Sequence, residues 1–144
     1  MTTVPVPAIP TAPAVDGARL LAELHAALTR ESHHLIGADA LARMRPTAFL
    51  VNTARGGLVD GAALLEALDA GALAGAALDV LESEPPDELG WRLARHPRVV
   101  ATPHAAWYSE EAFLTLKTEV AREALRVLKG GRPRSPVNTP AALR

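Results

Sequence analysis

An α/β fold with a parallel sheet is predicted by three features of the sequence. Short apolar runs at residues 48–51, 75–80 and 98–102 have the length of strands. Helix-like segments lie between and around them, as right-handed crossovers between parallel strands require. Each run also ends in a compact polar segment, and the carboxyl ends of parallel strands are where ligands bind in open α/β sheets.

The elements follow in chain order. Residues 1–15 hold four prolines among small residues and lack apolar periodicity, so residues 1–17 are expected to form a flexible tail. Asp16 is placed to cap a helix running through Arg19 to Leu24. A short helix is expected at 38–44, stopped by Pro46, followed by a buried strand at 48–51. Asp60 then caps a helix at 61–70, with Gly71 as its carboxyl-terminal stop. A second strand at 75–80 and a third at 98–102 are separated by a polar, proline-bearing linker at 82–97. Ser109 caps the longest helix, Glu110 and Glu111 sit in its positive first turn, and Gly130-Gly131 ends it. Phe113, Leu116, Val120, Ala124 and Val127 recur at three- and four-residue steps, an apolar face for the sheet or a neighbouring helix. The organisation expected is a tail at 1–17, one domain at 18–131 and a loosely held tail at 132–144.

Composition excludes several classes. Fifteen basic and sixteen acidic residues are interspersed, so no footprint for nucleic acid or an anionic membrane is present. No run approaches the roughly 18 apolar residues of a membrane span, and no basic segment precedes an apolar stretch at the N-terminus. The absence of cysteine excludes disulfides and thiol catalysis and fits a cytoplasmic, reducing compartment. Thirteen of the fifteen basic residues are Arg, and alanine is abundant, which points to a GC-rich bacterial genome.

Three strand ends carry chemistry. The first is Asn52-Thr53-Ala54-Arg55-Gly56-Gly57, with a permanently charged planar cation. The second is Asp79-Val80-Leu81-Glu82-Ser83-Glu84-Pro85, with carboxylates, and the third is Thr102-Pro103-His104, with an imidazole. A cation for a carboxylate, an imidazole to move a proton and a carboxylate to orient it are what oxidation of a 2-hydroxy acid needs. On the residues alone the bland alternatives stay open: Arg55 closing a turn, His104 as a polar strand terminus, Glu84 as one acid of a solvated loop, Asp79 as a cap. His33-His34 invites a metal reading, but adjacent side chains point apart on a strand or helix and two ligands do not close a site, so no metal is expected.

These segments, with Leu24-His25, His33-His34-Leu35-Ile36, the run from Ala48 to Asp60, Gly75-Ala76-Ala77-Leu78-Asp79-Val80 and Pro103-His104-Ala105-Ala106-Trp107-Tyr108, resemble the D-isomer-specific 2-hydroxyacid dehydrogenases in order and spacing. Within that family the likeness is to the C-terminal binding protein and phosphoglycerate dehydrogenase-like branch. The resemblance implies a partial Rossmann-like, doubly wound parallel sheet. It also implies an oxidoreductase that moves hydride between NAD, with NADP not distinguished, and a small 2-hydroxy or 2-oxo acid. Arg55 would bind the substrate carboxylate, His104 would serve as general acid and base, and Glu84 would hold the imidazole's orientation. Thr53, Ala54, Arg55, Asp79, His104, Ala105, Ala106 and Trp107 would face the cofactor, with His25 on a cofactor-side loop.

No G-x-G-x-x-G turn occurs among the ten glycines. The chain is therefore expected to be the truncated second half of a dinucleotide-binding domain, with its strand at 48–51 unpaired on the inner side. The partner in that case is a homodimer copy or a complementing protein half. The other reading is an inactive fragment or an NAD(H)-responsive protein-binding module.

Overall fold

The computed structural model describes residues 21–137. These divide into two compact units, residues 21–104 and 105–137. In the first, strands β1 (Leu21–Leu24), β2 (Phe49–Asn52), β3 (Gly75–Leu78) and β4 (Val99–Ala101) alternate with helices α1 (Ala38–Ala42), α2 (Gly61–Asp69) and α3 (Glu88–Ala94). The strands form one parallel sheet in the order β1-β2-β3-β4. Successive crossovers that all step the same way place their helices on one face, and α2 accordingly contacts both α1 and α3. This is the arrangement of one half of a doubly wound sheet, in which a reversal of strand order would be needed to cover the second face.

The register explains the core. Ala22, Leu50, Ala76 and Val99 are cross-strand partners, as are Leu24, Asn52, Leu78 and, on β4, Ala101. Leu50, Leu58, Leu64, Leu68 and Leu73 are fully buried between sheet and helices. Deleting several methyl groups from any of them would cost about 2–5 kcal/mol.

Two expectations are corrected. Residues Leu21 to Leu24 are a strand, not the end of a helix, because parallel pairing with β2 satisfies their backbone and sets Leu24 into the core. The proposed cap at Asp16 and the helix before residue 21 lie outside the described residues. The strand at 49–52 is consequently flanked on both sides, so among the described residues the edge strands are β1 and β4. The linker at 82–97 contains α3, whose Asp87 side chain accepts the Gly90 amide proton at 2.8 Å. The cap and the Leu89/Leu93 pair were visible in the sequence, but the double proline before them and the polar surroundings masked seven helical residues.

Elsewhere the local signals hold. Asp60 accepts from the Ala63 amide at 3.0 Å to cap α2, and Gly71 ends that helix at φ 70°. In the second unit Ser109 caps α4 (Glu110–Leu128) by accepting from the Ala112 amide at 3.0 Å. The apolar face expected on α4 is largely uncovered: Leu116, Val120 and Val127 are exposed. Of the expected tail, residues 132–137 are described, and Arg134 ties them to α4 through Glu123 at 2.6 Å and Glu119 at 3.2 Å. Among the described residues no helix is long and apolar enough to cross a membrane.

Candidate functional site

All four strands run the same way, so their carboxyl ends share one edge of the sheet. His25 follows β1, Thr53 to Arg55 follow β2, Asp79 follows β3, and Thr102 to His104 follow β4. The turn after β2 is built by Asn52, which is almost wholly buried. Its Nδ2 donates to the Arg55 carbonyl at 2.9 Å, and its Oδ1 accepts from the Ala54 amide at 3.1 Å. Gly56 follows because nothing larger fits: a Cβ there would lie 1.9 Å from the Leu81 carbonyl oxygen. The turn thus fixes the Arg55 backbone while its guanidinium stays exposed, donating through Nη1 to the Ala54 carbonyl at 2.6 Å. Thr53 is exposed beside it and Ala54 half-buried.

The loops after β3 and β4 are brought together. Asp79, 5% exposed, accepts a hydrogen bond from the Thr102 hydroxyl, and its carbonyl accepts the His104 amide proton at 2.8 Å. His104 is held at φ 54°, a left-handed conformation that costs a non-glycine residue on the order of 1–3 kcal/mol and concentrates at functional sites. In that conformation Nδ1 of His104 lies 2.7 Å from Oε2 of Glu84. The other carboxylate oxygen of Glu84 accepts the Leu81 amide proton at 3.2 Å.

The hydrogen bond with His104 holds the Glu84 carboxyl below its usual range, aided by the Leu81 amide and opposed by desolvation. An ionised carboxylate only accepts, so Nδ1 carries the proton of this bond and exchange with a ligand falls to Nε2. Asp79, Leu81, Glu84, Pro86, Thr102, Pro103 and His104 enclose an open cleft of about 220 Å³.

Of the residues singled out from sequence, the structure joins Glu84 to His104 and sets Asp79 beneath them. Arg55 stands at the neighbouring strand end with a separate set of bonds. His25 is exposed at the end of β1, 3.3 Å from Glu23. Ala105, Ala106 and Trp107 open the second unit, where Trp107 meets Tyr108 edge to face at 5.7 Å. Two positioning residues were missed. Asn52 stood in the motif but was given no role of its own, and the Thr102 hydroxyl depends on a partner 23 residues away.

The geometry expected for His33-His34 is also corrected. The pair lies in a turn rather than a strand or helix, His34 has φ 53°, and the two rings stack at 3.9 Å instead of pointing apart.

The family model for the NAD-binding domain of D-isomer-specific 2-hydroxyacid dehydrogenases matches residues 20–106. A D-3-phosphoglycerate dehydrogenase of Bacillus subtilis is 44% identical over 118 residues, covering 82% of this chain and 22% of its own length. A D-lactate dehydrogenase of Treponema pallidum is 41% identical, covering 74% of this chain and 36% of its own. Among solved structures, the NAD-complexed D-isomer-specific 2-hydroxyacid dehydrogenase of Lactobacillus delbrueckii ssp. bulgaricus superposes with a TM-score of 0.74. It is 38% identical, over 82% of this chain and 40% of that one. The chain therefore spans between about a fifth and two fifths of the length of these relatives.

Proposed function

The chain belongs to the D-isomer-specific 2-hydroxyacid dehydrogenase family, and we propose that it supplies the proton-transferring, substrate-binding half of an oxidoreductase acting on a small 2-hydroxy or 2-oxo acid with NAD. The observation that carries this reading is the Glu84–His104 pair, closed at 2.7 Å by a strained backbone at the carboxyl end of β4.

Each side chain has a task in the reduction of a 2-oxo acid. Arg55 takes the substrate carboxylate with its planar fork and draws electron density from the adjacent carbonyl. His104 delivers a proton from Nε2 to the carbonyl oxygen, and recovers it from the hydroxyl in the reverse direction. Glu84 keeps the Nδ1 proton in place, so the imidazole presents one nitrogen to the substrate. NAD, when bound, would supply or accept the hydride at its nicotinamide ring. Thr53, Ala54 and Asp79 would hold that ring end.

The fit to NAD is partial. The strand ends offer polar groups for a nicotinamide, yet the 144 residues contain no glycine-rich turn to cradle a pyrophosphate. The cleft of about 220 Å³ also falls below the roughly 300–1,000 Å³ of most small-molecule sites. Cofactor affinity of the chain alone is therefore expected near or above 1 mM, about 4 kcal/mol.

Among the described residues the outer edge of β1 has no strand partner, which favours a related arrangement in which a complementing half adds strands there, since unpaired strand edges recruit partners. The test is 2-oxo-acid-dependent oxidation of NADH at millimolar cofactor. We expect a slow rate that falls on the order of 10²-fold in His104→Ala. A rate equal in wild type and His104→Ala would contradict the proposal.

A further inference from the structure

We propose that His33, His34 and Glu82 form a binding site for one divalent cation of the zinc class, separate from the Glu84–His104 pair. One donor atom from each of the three residues lies within 4.8 Å of the others. Nε2 of His34 is 2.7 Å and Nε2 of His33 3.7 Å from the same oxygen of Glu82, Oε1. Donors bound to zinc at about 2.0–2.1 Å in a tetrahedron stand roughly 3.3 Å apart, and the two observed separations bracket that value. Two imidazoles and a carboxylate, with a fourth position for water, make a donor set that suits zinc and excludes the hard, oxygen-seeking cations.

The arrangement is built by backbone rather than by chance approach of surface side chains. Reciprocal bonds between Thr29 and Ser32 close the turn before the histidines, and the His33 amide donates to the Thr29 carbonyl at 3.0 Å. The His34 amide donates to the Gly57 carbonyl at 2.8 Å. The same glycine pair positions Glu82, because Gly56 lies flush against the Leu81–Glu82 peptide. Donors from two distant loops are therefore registered on one rigid segment.

Nδ1 of His34 faces Oδ2 of Asp60 at 3.8 Å. A carboxylate behind a histidine is the usual outer partner of a metal-bound imidazole, and Asp60 stands on that side of the ring, beyond hydrogen-bond distance. The stacking also has a consequence. Two rings stacked at 3.9 Å and 27° both address one carboxylate oxygen, so the three donors already converge on one point.

The test is calorimetric titration of the chelator-stripped, tag-free 144-residue chain with ZnCl₂, and separately with MgCl₂. We expect one equivalent of Zn²⁺ bound with Kd below about 10 μM and no Mg²⁺ binding. His33→Gln and Glu82→Gln each weaken Zn²⁺ binding at least about 10-fold, while His96→Gln and His104→Gln retain it. His33 and Glu82 are both half-exposed, so their variants keep the fold, which circular dichroism verifies. Titration with Co²⁺ gives visible ligand-field bands in the wild type and in neither variant. Zn²⁺ binding weaker than about 10 μM, or a site that survives both His33→Gln and Glu82→Gln, overturns the proposal.

Discussion

His104 is where the residue-scale argument concentrates, because backbone strain, a charged partner and a cleft meet at one imidazole. If Glu84 fixes the Nδ1–H form, nitrogen-15 spectra of the wild type show Nδ1 protonated, and Glu84→Gln removes that preference. Identical tautomer populations in the two proteins would separate Glu84 from the role given to it. Arg55, Glu84, His104 and Asp79 could all be singled out as candidates in the sequence because their motifs follow strand ends at fixed spacing. The role of Asn52 could not, since it comes from bonds to backbone two and three residues on. Asn52→Ala leaves the Ala54 amide and the Arg55 carbonyl without these partners and is expected to destabilise the fold by about 1–3 kcal/mol in denaturant unfolding. A change within 0.5 kcal/mol would show that the turn holds without its asparagine.

At the scale of elements, capping chemistry was the most dependable guide and short segments the least. Asp60 and Ser109 mark their helices through side-chain bonds to amides three residues on, which a sequence displays directly. The four residues of β1 are too few to show a period of two, and only pairing with β2 makes them a strand. Helix α3 escaped notice in the same way, although its cap is legible once the helix is known. Asp87→Ala is expected to cost about 1 kcal/mol of stability by chemical denaturation. Gly56→Ala is expected to cost more, since the new methyl group meets backbone rather than a side chain that can turn away. The reverse order would mean that the segment around Leu81 yields more readily than its packing implies. The His33-His34 turn shows a further limit, because a left-handed residue reverses the orientation that adjacent side chains have in regular structure.

For the whole molecule, the parallel order of four strands with helices on one face is half of a doubly wound sheet, and the lack of a glycine-rich turn in the sequence anticipated it. What the sequence concealed was that the 49–52 strand lies inside the sheet, because that depended on β1. Among the described residues the outer edge of β1 is unpaired, which predicts concentration-dependent association, measurable as a rising mass in light scattering between about 10 and 500 μM and suppressed by a proline at Ala22. A constant monomeric mass would show that this edge is protected.

The central claim is that this chain carries the nicotinamide and substrate end of a dehydrogenase site without the pyrophosphate end. Saturation-transfer difference spectroscopy of the chain with NADH tests it most directly. The account predicts strongest transfer at the nicotinamide protons, little at the adenine protons, enhancement by a 2-oxo acid and loss of that enhancement in Arg55→Ala. Transfer dominated by adenine, or none up to several millimolar NADH, the concentration range that matches about 3–4 kcal/mol of binding, would contradict it.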